Sequence, residues 1–120
     1  MGLSDDESEE WPMNKETVLQ NRIREALSSR GCTVFRRNHG LYFTRDGRSV
    51  LVGVDGESDL QGHRPDGLCF YLEVKIPGEV PRANQEKFIN AMSNSGAIAG
   101  WADSIEEALN VVMGVGKTYE

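Results

Sequence analysis

The run Leu68-Cys69-Phe70-Tyr71-Leu72-Glu73-Val74-Lys75 constrains this chain more than any other segment. Its near-continuous apolar character predicts a strand buried on both faces, the central strand of a sheet covered by helices. Strand alternation sets Glu73 and Lys75 on one face and Leu72, Val74 and Ile76 on the other. Two opposite charges on a buried strand cost on the order of several kcal/mol unless they are paired or bind an ion. A structural ion pair at a strand end is one reading, and Glu-x-Lys alone favours it, because so short a pattern recurs by chance.

The surrounding pattern is that of alternating helices and strands. Asn14 reads as the N-cap of a helix that runs to about Arg30 and closes at Gly31, with an apolar stripe of Leu19, Ile23, Ala26 and Leu27. Short β-like runs follow at Thr33–Arg36, Leu41–Thr44 and Ser49–Val52, the last two joined by the turn signal Asp46-Gly47. Gly53, Gly56 and Gly62 surround Asp55, Glu57 and Asp59, which indicates a backbone of unusual dihedrals beside carboxylates. Asp66-Gly67 marks the turn into the central strand. A loop bracketed by Pro77 and Pro81 leads to a second helix over about Asn84–Ser93, then a short strand at Ala97–Trp101. Ser104-Ile105-Glu106-Glu107 is a capping box that starts a third helix, stopped by Gly114 and Gly116. The order α-β-β-β-α-β-α predicts an α/β fold with a mixed central sheet flanked by helices.

Length and charge bound the function. A chain of 120 residues, 38% of them apolar, supports one modest core. We expect a single domain over residues 13–115, an acidic disordered tail over 1–12 and a short tail over 116–120. With no membrane-length apolar run and no signal-like N-terminus, the sequence reads as a soluble, cytoplasmic protein. Cys32 and Cys69 read as free thiols, and neither they nor His39 and His63 stand at zinc-ligand spacing. The net charge of −6 argues against nucleic acid, but Asp5, Asp6, Glu7, Glu9 and Glu10 account for most of it. Residues 15–87 carry twelve of the thirteen bases against ten acids. If several of those acids hold a cation, the surface is more positive still.

Asp59 lies upstream of the central strand, at the end of a β-run, and a hairpin would bring it beside Glu73. Two carboxylates and a backbone carbonyl suit Mg²⁺, which takes oxygen ligands. A lysine two residues beyond the second carboxylate would stand next to the nucleophile or the phosphate. Glu16 and Gln20 head the apolar stripe of the first helix, and Gln85 heads that of the second, in line with Phe88 and Ile89. Capping and solvent access at a sheet rim explain any one of these. Two helices both aiming polar heads at the same sheet end are harder to explain so.

These pieces together resemble the VRR-NUC family of PD-(D/E)XK nucleases in a phage-type standalone form. The matching residues are Glu16 with Gln20, Phe35-Arg36-Arg37-Asn38 with Gly40, the run Val52–Gly62, Glu73-Val74-Lys75, and Gln85 with Phe88. The resemblance spans about Glu16 to Leu109. It implies an αβββαβ core and Mg²⁺ or Mn²⁺ held by Glu16, Asp59, Glu73 and the backbone carbonyl of Val74. It gives Lys75 the water-positioning role and Gln85 a supporting one. It also implies a homodimer acting as an endonuclease on branched DNA, as Holliday-junction resolvases of the superfamily do. The family's proline-aspartate pair appears here as Ser58-Asp59. The literal Pro65-Asp66 is set aside because Asp66-Gly67 reads as a hairpin tip.

Arg36, Arg37, Asn38, Arg64, Arg82 and Lys87 flank the expected site and are candidate nucleic-acid contacts, with a solvated basic surface as the bland alternative. Tyr42, Phe43 and Tyr71 read better as packing residues than as base-stacking ones. Two further function classes stay open: a non-cleaving nucleic-acid-binding module on the same fold, and an interaction protein with a structural ion pair at Glu73 and Lys75.

Overall fold

The structure is a computed structural model, and it describes residues 14–37, 40–52 and 56–114. The tails expected over 1–12 and 116–120, together with Asn38, His39 and residues 53–55, lie outside the described residues. Helix α1 spans Lys15–Ser29, α2 Ala83–Asn94 and α3 Ile105–Gly114; the strands are β1 (Thr33–Arg36), β2 (Gly40–Phe43), β3 (Ser49–Val52), β4 (Leu60–His63), β5 (Cys69–Val74) and β6 (Ile98–Ala102).

The signals read from the sequence set the ends of α1. Asn14 Oδ1 accepts a hydrogen bond from the Thr17 amide at 2.8 Å. At the other end the amides of Gly31 and Cys32 donate to the carbonyls of Ser28 and Leu27, the paired bonds of a Schellman closure. Ser104 Oγ likewise accepts from the Glu107 amide and starts α3.

The main sheet has the order β1-β4-β5-β6, and β2 and β3 form a separate two-stranded sheet. β5 pairs antiparallel with β4 and parallel with β6, which makes it a central strand of a mixed sheet. Phe70, Leu72 and Val74 of β5 are fully buried and join Ile23 and Leu27 of α1 and Ala108 and Val112 of α3 in one core. Each large apolar side chain buried there stabilises by roughly 1.5–3 kcal/mol. The apolar face of β5 thereby fixes its opposite, charge-bearing face, which meets α2. Tyr71 is on that second face, its ring edge-on to Phe88 with centroids 5.6 Å apart.

The αβββαβ core is therefore α1-β1-β4-β5-α2-β6, with the β2–β3 hairpin inserted after β1 and α3 appended. Two details differ from the sequence reading. The strands at 40–43 and 49–52 do not join the main sheet. The second core strand is β4, which the sequence presents as a glycine-broken stretch. Gly62 conceals it: a Cβ there would lie 1.8 Å from the Thr33 carbonyl oxygen of β1, so close strand approach excludes any side chain.

Arg64 is not a surface base. It is buried, with Nη1 donating to the Val112 carbonyl at 3.1 Å and Nη2 paired with Asp66 at 2.5 Å. It ties the β4–β5 turn to α3 at the sheet end away from Asp59, so it is no phosphate contact. Phe43 is 72% exposed and Phe35 55%, which corrects the packing expectation for Phe43; the side chain of Tyr42 is outside those described. Cys32 and Cys69 are free thiols. Among the described residues no helix is long and apolar enough to cross a membrane.

Candidate metal centre

The register of β4 and β5 builds the site. Leu60 pairs with Leu72, so Asp59 and Glu73, one residue further along each strand, come side by side. Asp59 stands at the start of a strand, not at the end of one, and its Oδ2 accepts from the Val74 amide at 3.0 Å. Glu16, in the first turn of α1, completes a trio: Glu16, Asp59 and Glu73 each offer a carboxylate oxygen, all within 4.8 Å of one another.

Glu73 is 2% exposed. Its Oε2 accepts from Gln85 Nε2 at 2.7 Å and lies 3.6 Å from Lys75 Nζ. Its Oε1 is buried and accepts no hydrogen bond. A buried carboxylate oxygen without a partner is costly, and such groups are rare in folded proteins. Burial, followed by the negative charge of Asp59 and opposed by Lys75, pushes the Glu73 carboxyl up to about 8. Burial and then Asp59 raise Glu16 as well, with Lys75 and Arg82 opposing. Three carboxylates thus converge on too little positive charge. The donor set is all hard oxygen, with one buried oxygen left over, and it fits a divalent cation of the Mg²⁺ class.

Lys75 is held at the backbone, where its amide donates to the Ala102 carbonyl at 2.9 Å, and its side chain is 9% exposed. Gln85 serves two neighbours: its Oε1 accepts from the Arg82 amide at the start of α2, and its Nε2 donates to Glu73. Gln20, one turn beyond Glu16, is buried with Oε1 unpartnered.

The loop leading to Asp59 is clamped from several sides, and sequence reading missed this. Buried Glu57 accepts from Arg37 Nε at 2.7 Å, and the Arg37 amide donates to the Asp59 carbonyl at 2.8 Å. Ser58 Oγ donates to the Leu60 carbonyl. Gly56 has a φ of +80°, and a Cβ on it would lie 2.3 Å from the Asn84 carbonyl oxygen of α2. Only the Asp55-Gly56-Glu57 composition hinted at this seat. Gly56→Ala is expected to cost roughly 2–4 kcal/mol through strain and overpacking. Urea unfolding with an unchanged m-value checks it; a loss under 1 kcal/mol, on the scale of an ordinary surface change, would mean the loop is not seated there.

Of the expected nucleic-acid contacts, Arg36, Arg82 and Lys87 are exposed, Arg82 acts electrostatically on Glu16, and Asn38 is outside the described residues. Arg37 is committed to Glu57, which makes it a clamp of the loop, although 44% of its side chain stays exposed.

No protein-family model matches the sequence, and no curated protein matches it. A solved structure described as a "VRR_NUC domain" does match in fold, with a TM-score of 0.63 at 21% identity, covering 86% of this chain and 99% of that one. The chain has the fold of a VRR_NUC domain.

Proposed function

We propose that this protein is a metal-dependent nuclease that hydrolyses DNA phosphodiester bonds, acting as a structure-selective endonuclease on branched DNA and working as a homodimer. The observation that carries the reading is Glu73: a buried carboxylate with one unpartnered oxygen, held between Asp59 and Glu16 and beside Lys75. Nuclease chemistry and DNA as substrate are supported by the VRR_NUC fold; branch preference and the dimer rest on the resemblance of the motif residues alone.

Glu16, Asp59 and Glu73 would hold Mg²⁺ or Mn²⁺, with the Val74 carbonyl as the further ligand that the resemblance implies. When bound, such an ion supplies charge neutralisation at the phosphate and makes water a stronger nucleophile. The rest falls to the chain. Asp59 is oriented by the Val74 amide and Glu73 by Gln85, so both carboxylates are set before any ligand arrives. Lys75 Nζ, beside Glu73 and held in a nearly closed site, orients the attacking water and offsets charge growing on the phosphate oxygens. Arg36, Arg82 and Lys87 contact the DNA backbone without reading bases.

The test is cleavage of labelled single-stranded, duplex, splayed-arm and four-way-junction DNA in Mg²⁺, Mn²⁺ and EDTA. Metal-dependent cutting, strongest on the branched substrates, is the expected result. Salt-dependent binding with no cutting in either metal would instead make the chain a binding module. Sedimentation should give twice the 13.3 kDa chain mass; a monomer at assay concentration removes the dimer.

Gln85→Ala is expected to weaken Mn²⁺ binding about 10–100-fold, the usual effect of losing an outer partner of a ligand. Calorimetric titration measures it. Unchanged affinity would reduce Gln85 to a helix cap.

A further inference from the structure

The register sets Phe35, Gln61 and Tyr71 in one row across β1, β4 and β5. Residues paired across strands point to the same face. Alternation puts Thr33 and His63 on that face as well, together with Asp59, Glu73 and Lys75. The row therefore shares its face with the candidate metal centre. Helix α2 covers the half of this face made by β5 and β6. Over β1 and β4 no described helix lies on this side. Val34, which joins the core beside α1, points to the opposite face, while Phe35 is 55% exposed and Thr33 and His63 are exposed beside it. We propose that this uncovered half-face is a platform for an unpaired DNA strand, one base of which stacks on the Phe35 ring as the strand leaves the metal centre.

Position favours this occupant. The Arg37 amide donates to the Asp59 carbonyl, so the end of β1 is joined to the site itself. Phe35 stands two residues back along the strand, about 7 Å away. A DNA strand with its phosphate at the carboxylate trio passes over it.

Charge and chemistry agree. Thr33, Phe35, Gln61 and His63 include no carboxylate, in a chain whose net charge is −6. A polyanion lying there meets no acid before the trio. An exposed ring on a flat sheet takes any base, because every base has a π-face. Tyr71 is not free for this, since its ring is against Phe88. Gln61 and His63 bring hydrogen-bonding groups to the base edges. The same polar neighbours leave Phe35 as a single ring without a contiguous apolar patch, which disfavours a second copy of the chain as occupant. In a duplex the bases are already stacked on one another and cannot offer a face to the ring. The platform rests on the nuclease reading and deepens it, because it separates DNA with unpaired bases where strands part from plain duplex.

The experiment measures binding of a fluorescein-labelled oligothymidylate and of a labelled duplex, in Ca²⁺, to wild type, Phe35→Ala and Phe35→Trp. Phe35→Ala should weaken single-strand binding about ten-fold, the scale of one lost base stack, and change duplex binding by less than about two-fold. The loss should be the same at low and high salt, since stacking releases no counterions. Phe35→Trp should keep the affinity, and its added indole should be quenched by the bound strand. Phe35 is an exposed side chain, so all three proteins should melt together. Wild-type single-strand affinity in Phe35→Ala, an equal loss on both DNAs, or an unquenched indole overturns the platform. So does a dimer that dissociates on Phe35→Ala in sedimentation, which assigns the face to a second copy. Wild type that binds duplex but not the single strand overturns the platform alone. If wild type binds neither, the DNA reading fails and the platform falls with it.

Discussion

Lys75→Ala is expected to lower the rate of DNA cleavage by about 10²–10⁴-fold while leaving the fold intact, the range typical of losing one charged or proton-handling group at a reaction centre. The backbone of Lys75 is tied to β6 through its amide, a bond the substitution keeps. The apolar face of β5 is also untouched. What disappears is the ammonium that stands 3.6 Å from Glu73. The loss should fall on the single-turnover rate rather than on duplex affinity, because the exposed bases proposed to hold the DNA backbone, Arg36, Arg82 and Lys87, are other residues. Lys75→Arg is not expected to rescue, since a planar guanidinium does not fit where a 9% exposed ammonium stands. If the pair were only structural, removing one partner would cost about 3–5 kcal/mol of stability and wild type would show no cleavage to lose. Single-turnover kinetics in Mg²⁺ beside urea unfolding of both proteins separates the two cases.

How much of this was legible depended on whether a feature is local. The caps at Asn14 and Ser104 and the closure at Gly31 are satisfied by residues within a few positions, and the structure has them where the sequence puts them. The pairing of Asp59 with Glu73 was also readable, because the Asp66-Gly67 tip fixes the register of everything upstream of it. β4 was not readable: Gly62 answers to the backbone of β1, a contact far away in sequence. Nor was the Arg37–Glu57 clamp, which spans twenty positions and makes a base that looks available for phosphate into a partner for a buried acid. Arg64 misled for the same reason, since it stands in the β4–β5 turn while its partner Val112 is on α3. The convergence of Glu16, Gln85 and Glu73 lay between these cases. Polar heads on two apolar stripes signalled that something polar awaited them, while the distances come only from the packed helices.

Metal-free protein is expected to lose stability as pH rises from about 5 to 8, and Mg²⁺ or Mn²⁺ should restore it most at the upper end. Glu73 is pushed up to about 8 in the folded chain from an ordinary value of 4.5. Between those values the folded state holds a proton that the unfolded state has released, so unfolding becomes easier with each step upward in pH. The stabilising contribution is complete below the ordinary value and is lost as pH passes through the raised one. Glu16 is raised too and adds in the same direction. The Glu73 contribution alone is on the order of a few kcal/mol, equivalent to a fall in Tm of roughly 10 °C for a chain of this size. A divalent cation reverses the balance, because it competes with the proton and binds the folded state alone. Glu73→Gln supplies the decisive comparison: it removes the charge, keeps an acceptor for Gln85, and should flatten the pH dependence in EDTA. At pH 8 it should unfold at a higher temperature than metal-free wild type, and it should no longer gain from Mn²⁺. Such a gain in stability, together with loss of cleavage, is the mark of a side chain kept for its ligand rather than for the fold. Thermal melts from pH 5 to 8 with EDTA or Mn²⁺ measure it. A wild-type Tm that stays level in EDTA, or a Glu73→Gln protein less stable than wild type at pH 8, would mean that the three carboxylates are already balanced without a cation.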